Sequence, residues 1–118
     1  AAACMLSNFL VTLVHSGMNL MENIAVDRAV AFEAMLPLMN NTLQNILELD
    51  APQALTGPIA RGDVSTVAKQ LAAISSGSGE QLPMFAFMAQ ETLKLATKSK
   101  LSSSQKADKL QSIIQSYL

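Results

Sequence analysis

Asn8, Thr12, His15 and Asn19 recur at intervals of four, three and four residues within a stretch otherwise dominated by leucine, valine, phenylalanine and methionine. On a helix that turns about 100° per residue, they fall within about 60° of one another. Cys4 and Glu22 extend the same line. A seam facing only water would ordinarily carry lysine and glutamate. Amides and hydroxyls instead suit one of two tasks: orienting a polar ligand in a cleft, or satisfying one another at a close helix contact. His15 is the one imidazole. A single histidine without further ligand residues makes no metal site, so no metal centre is expected.

The second chemical candidate is Arg61. It stands in Leu55-Thr56-Gly57-Pro58-Ile59-Ala60-Arg61-Gly62-Asp63, a run punctuated by glycine and proline between two helical patterns. The spacing predicts a loop, with Arg61 positioned by that loop and not by a helix face. A guanidinium fork suits two-point binding of a carboxylate or phosphate. Asp63 follows it and heads the next helical pattern, whose first amides also favour anions. The alternative is local, with Arg61 paired to Asp63 or capping the preceding carbonyls. Thr56, Gly57, Pro58, Gly62 and Asp63 define the loop motif. Its glycines supply backbone angles closed to other residues.

Five helices must position these groups. Residues 1–22 form the first, about 33 Å long at about 1.5 Å per residue. It is apolar nearly all round, so burial on more than one side is expected. Residues 26–49 form the second, with Val30, Ala34, Leu38, Ile46, Leu47 and Leu49 supplying its apolar positions. Pro37 should kink it near residues 33–37, and Asp50-Ala51-Pro52 should end it. Asp63 caps a third helix over residues 64–75, which buries Val67, Ala68, Leu71 and Ile74. A Ser/Gly connection leads to a fourth over residues 82–98, burying Phe85, Met88, Leu95 and Ala96. The last, over residues 104–117, buries Leu110, Ile113, Ile114 and Tyr117. No strand alternation is present. The expected class is all-α, with about five helices around a long N-terminal one, in a single domain over residues 1–118.

Composition narrows the partners. Half of the 118 residues are apolar and the net charge is −1, so nucleic acid and anionic membranes are not expected partners. The apolar opening to residue 14 has no basic start, and it is shorter than the span of about 20 residues a membrane helix needs. Cys4 has no intramolecular partner, so a reducing, cytoplasmic setting is expected. Seven methionines serve as core filler or as an adaptable interface. No nucleophile triad, zinc spacing or phosphate-binding glycine motif occurs. The chain opens in the middle of a helical pattern, which suggests one domain of a longer protein.

The run LTGPIARGDVSTVAKQL resembles the signature of a family of two-domain proteins, in which a Rossmann-like dinucleotide-binding domain precedes a helical domain of unknown function. AAACMLSNFLVTL, with Ser7-Asn8, resembles the opening of that helical domain. PLMNNTLQNI, with Thr42 and Asn45, resembles its second helix. The wider group is similar to the C-terminal domain of 6-phosphogluconate dehydrogenase. It includes ketopantoate and pyrroline-carboxylate reductases and the hydroxyacid dehydrogenases. The resemblance implies the substrate-binding and dimerisation part of an NAD(P)-dependent oxidoreductase. This helical domain would close over a cofactor held mainly by an absent Rossmann domain, and would form a homodimer surface. Asn8 and His15 would orient a small polar substrate, and Arg61 would bind its anionic group.

One departure stands out. The hydroxyacid dehydrogenases and ketopantoate reductases carry a catalytic lysine one turn before a helix asparagine. If Asn8 is that asparagine, Cys4 occupies the lysine position, and the first lysine in this chain is Lys69. A thiol cannot serve as an ammonium acid, so that mechanism does not transfer directly. The chain also lacks a glycine-rich turn after a strand, so catalysis by this domain alone is not expected. The alternative function is a non-catalytic helical homodimerisation module, with the first helix and the methionines as its interface.

Overall fold

The computed structural model describes residues 1–118. Its regular structure is helical throughout. In chain order it runs α1 (Ala2–Leu6), α2 (Asn8–Glu22), α3 (Arg28–Leu49), α4 (Ala51–Ala54), α5 (Pro58–Arg61), α6 (Val64–Gly77), a 3-10 turn (Gly79–Gln81), α7 (Leu82–Thr97) and α8 (Ser104–Gln115). The chain divides into two compact units, Ala1–Met39 and Asn40–Leu118.

In the first unit, α1 and α2 are one helical path broken only at Ser7. The Ser7 N–H still donates to the Ala3 carbonyl at 3.0 Å, and its own carbonyl accepts from Val11 at 3.0 Å. After α2 the chain reverses through Ala25, a non-glycine residue in the left-handed region at φ 62°. The Val26 N–H closes that turn on the Met21 carbonyl at 3.1 Å, a helix-ending pattern that usually selects glycine. Asp27 then starts α3, its Oδ1 accepting from the amides of Ala29 at 3.0 Å and Val30 at 3.2 Å.

The first helix is not buried on more than one side, contrary to what its composition predicts. Met5, Leu6, Phe9, Leu10 and Leu13 are all exposed, Leu6 to 79%. Only Met18 of α2 is buried. In α3, Ala31 is the one buried residue, while Val30, Leu38, Ile46, Leu47 and Leu49 are exposed. An apolar stripe is buried only where another element covers it, and a unit of this size offers few such elements. Pro37 lies inside α3, which continues as one helix to Leu49. Taken together, Ala2–Glu22 is 21 residues, long and apolar enough by length and composition to cross a membrane. That exceeds the apolar opening to residue 14.

The second unit holds the packed core. Val67 and Leu71 of α6, Ala86, Ala89, Leu93 and Ala96 of α7, Leu101, and Leu110 and Ile114 of α8 form one buried cluster. The α7 face differs from the expected one: Phe85 and Leu95 are half-buried and Met88 is exposed, whereas Ala86, Ala89 and Leu93 are buried with Ala96. The period was right and the phase was rotated. Three alanines on the buried face let neighbouring helices approach closely, and the larger side chains sit at its margins. In α6, Ala68 is only half-buried, while Val67, Leu71 and Ile74 are buried.

Candidate functional site

The polar line on α2 divides in two. Toward its start, the polar groups satisfy one another along the helix. The Asn8 amide donates to Cys4 Sγ at 3.8 Å, and the Thr12 hydroxyl donates to the Asn8 carbonyl at 3.0 Å. Asn8 is exposed and Cys4 is half-buried with a free thiol.

Toward the end of α2, the line meets the start of α3. The turn through Ala25 brings Arg28 back alongside α2. Arg28 Nε donates to Glu22 Oε1 at 2.9 Å, and Nη2 donates to Glu22 Oε2 at 3.0 Å. Nη2 also donates to Asn19 Oδ1. The other end of the Asn19 amide lies 3.4 Å from His15 Nε2. A continuous polar chain therefore runs Glu22, Arg28, Asn19, His15.

His15 and Arg28 both line an open groove of about 670 Å³ within this unit. Val11, Val14, Met18 and Phe32 form its apolar walls, and Asp27 and Ala29 complete it at the start of α3. An apolar trough with a few polar groups at one side is the usual form of a site for a small organic molecule. His15, itself exposed, stands at the edge of this open groove. Asn8 does not line this groove. Arg28 escaped the sequence reading. Its signal was present: it is one of only two arginines, and it lies across a short turn from Glu22.

Arg61 belongs to the second unit and the α2 residues to the first. Residues 55–63 are not a plain loop. Pro58–Arg61 is a helical turn, so Arg61 sits in the last turn of α5 and its place is set by that helix. Gly57 precedes it at φ 92° and Gly62 ends it in the left-handed region at φ 68°. The Asp63 N–H reaches back to the Pro58 carbonyl at 2.8 Å. Thr56 is exposed. A Cβ at Gly62 would stand 2.7 Å from Lys106 Cδ and 2.9 Å from Leu101 Cδ1, so this glycine also lets the segment leading into α8 pack closely.

Asp63 caps α6. Its Oδ1 accepts from the Thr66 N–H at 3.0 Å, and its Oδ2 accepts from the Thr66 hydroxyl at 2.7 Å. These two bonds, the hydroxyl's first, hold its carboxyl below the usual carboxylate range, and the charges of Arg61 and Lys69 add smaller effects in the same direction. The carboxylate is thus committed to Thr66, and the Arg61 guanidinium is exposed at the surface.

No group of three or more histidine, cysteine, aspartate or glutamate side chains gathers to hold a metal ion. The Rossmann-type site for a nicotinamide dinucleotide is built from a strand, a glycine-rich turn and a helix N-terminus, and the elements here are all helices.

Residues 1–92 match the family model described as a domain of unknown function, DUF2520. No curated protein and no solved structure matches the chain.

Proposed function

The chain belongs to the DUF2520 family, and from that premise we propose that it is the substrate-binding and dimerisation domain of an NAD(P)-dependent oxidoreductase of the 6-phosphogluconate dehydrogenase C-terminal-like group. The observation that carries the substrate-binding reading is the groove beside His15. Its apolar walls suit the carbon skeleton of a small substrate, and His15 suits a polar end, while Arg28, paired with Glu22 and Asn19, is committed within the protein. Asn8, on the same helix but off this groove, is a candidate for a further polar contact. Cofactor binding and hydride chemistry fall to a Rossmann domain on the same protein, and no step of that chemistry is assigned to the residues described here.

Dimerisation is supported by the exposed side chains of α1 and α2. Residues 1–21 contain no charged side chain. In a two-fold contact each surface meets its own copy, so an uncharged face brings no like charges together. The run of exposed Met5, Leu6, Phe9, Leu10 and Val11 is the kind of apolar surface that marks an interface. The same observation favours the second reading, a dimerisation module without chemistry.

Three measurements test the proposal. Fluorescence titration of the full-length gene product with NADH and NADPH should show saturable binding of at least one, and binding of neither overturns the oxidoreductase reading. With a substrate in hand, His15→Ala should raise KM at unchanged fold. Unchanged kinetics would leave the dimerisation module. Light scattering should give twice the monomer mass, and a strict monomer counts against both readings.

A further inference from the structure

We infer that Arg28 is a positioning residue for His15: acting through Asn19, it holds the imidazole as the neutral Nδ1–H tautomer. The inference deepens the substrate-binding reading of His15. It stands on hydrogen-bond directionality alone.

A guanidinium has only donors. The atom of Asn19 that faces Arg28 Nη2 must therefore be the amide oxygen, as found. Turning the amide over would set N–H against N–H. With its oxygen committed to Arg28, Asn19 presents its NH2 group to His15 Nε2 at 3.4 Å. That group is also only a donor. Nε2 must then accept, so it carries no proton, and the proton of the neutral ring resides on Nδ1. Glu22 completes the arrangement, because its two oxygens engage Nε and Nη2 of Arg28 and fix the plane of the fork. Arg28 is held by two partners, Asn19 is oriented by Arg28, and His15 is oriented by Asn19.

The consequence is chemical. The two imidazole nitrogens are not equivalent here: Nε2 is committed to Asn19, and Nδ1 is the nitrogen His15 can offer a ligand, as an N–H donor. A carbonyl or carboxylate oxygen would be recognised and a donor would be rejected. A lysine at position 28 would keep the charge but not the fork, so it would orient the amide less firmly.

The chain has one histidine, so its imidazole can be read without assignment by mutation. The protein is labelled with 15N-histidine, and long-range 1H–15N correlation spectra are recorded at about pH 8, above the ordinary range of histidine titration. The wild type should show a protonated, pyrrole-type Nδ1 and an unprotonated, pyridine-type Nε2. Asn19→Asp replaces the donor with an acceptor and should move the proton to Nε2. Arg28→Gln frees the Asn19 amide to turn over and should give a mixture of tautomers. A wild type with its proton mainly on Nε2 overturns the inference, even if neither variant folds. So does a tautomer unchanged in both folded variants. The readout needs neither cofactor nor substrate, so its failure is separable from failure of the oxidoreductase reading.

Discussion

Arg28 and Glu22 face each other in a two-point pair, Nε to Oε1 at 2.9 Å and Nη2 to Oε2 at 3.0 Å, across the turn that joins α2 to α3. Both side chains are partly solvated, 39% and 44% exposed. Water and ions therefore weaken the attraction. A double-mutant cycle with Arg28→Gln and Glu22→Gln, read by urea unfolding, should give a coupling of about 1 kcal/mol or less. It should shrink further in about 1 M salt, where the screening length is about 3 Å. The pair matters more for where Arg28 points than for how stable the protein is.

Gly62 should resist substitution for two separable reasons. Its left-handed backbone costs an L-residue about 1–2 kcal/mol, and a Cβ would meet Lys106 and Leu101. Gly62→Ala should lower stability by at least the backbone amount in chemical denaturation. Adding Lys106→Ala should recover part of the loss, because it clears the nearest clashing atom. At Gly57 an added Cβ meets nothing, so Gly57→Ala should show a backbone cost that Lys106→Ala leaves unchanged.

Asp63 makes the cap of α6 pH-dependent. Its folded carboxyl is lowered below the ordinary value, mainly by the Thr66 hydroxyl and amide. A lowered pKa means that the unfolded chain binds the proton more readily than the folded one. The contribution is thus complete above the unfolded value near 3.8 and is lost as pH falls through the lower folded value. Unfolding curves of wild type and Asp63→Asn should differ at neutral pH in favour of the wild type. That difference should narrow below about pH 4.

The two units should answer differently to loss of a leucine. Leu71 is fully buried in the core of the second unit, so Leu71→Ala should cost about 2–5 kcal/mol by transfer and cavity terms. Leu6 is 79% exposed. Leu6→Ala should leave the unfolding free energy of the monomer within about 0.5 kcal/mol. If α1 and α2 form the proposed dimer surface, the same substitution should weaken association in light scattering.

Ala25 offers the converse test. It holds φ 62° where glycine would carry no steric penalty. Ala25→Gly should stabilise the α2–α3 turn by up to about 1 kcal/mol, visible as a raised unfolding midpoint.

Much of this molecule is written in local signals. The absence of strand alternation, the Asp63 cap, the Asp50 stop and the helix starting at Leu82-Pro83 depend on residues a few positions apart, and each is found in the structure. So does the polar line that carries His15. Signals that required a partner were not legible. The α7 stripe was read around Phe85, Met88 and Leu95, but its buried face is Ala86, Ala89 and Leu93 with Ala96. Bulk alone does not say which side of a helix a neighbour will cover. Residues 58–61 read as loop because Gly57 and Gly62 flank them and Pro58 opens them, yet one helical turn fits between the glycines.

The amino-acid sequence by itself determined an all-helical chain, the bounds of its longer helices to within a few residues but not the short α4 and α5, and a histidine on a line of amides and hydroxyls. Those properties follow from periods and caps, which act over one or two turns. Only the tertiary structure decided that α1 and α2 keep Leu6, Leu10 and Leu13 in solvent. It alone decided that Gly62 must be bare for Lys106 to pass, and that Arg28 returns to orient Asn19 beside His15. Each of these depends on groups that meet through turns and packing, and no periodicity along one helix encodes such a meeting.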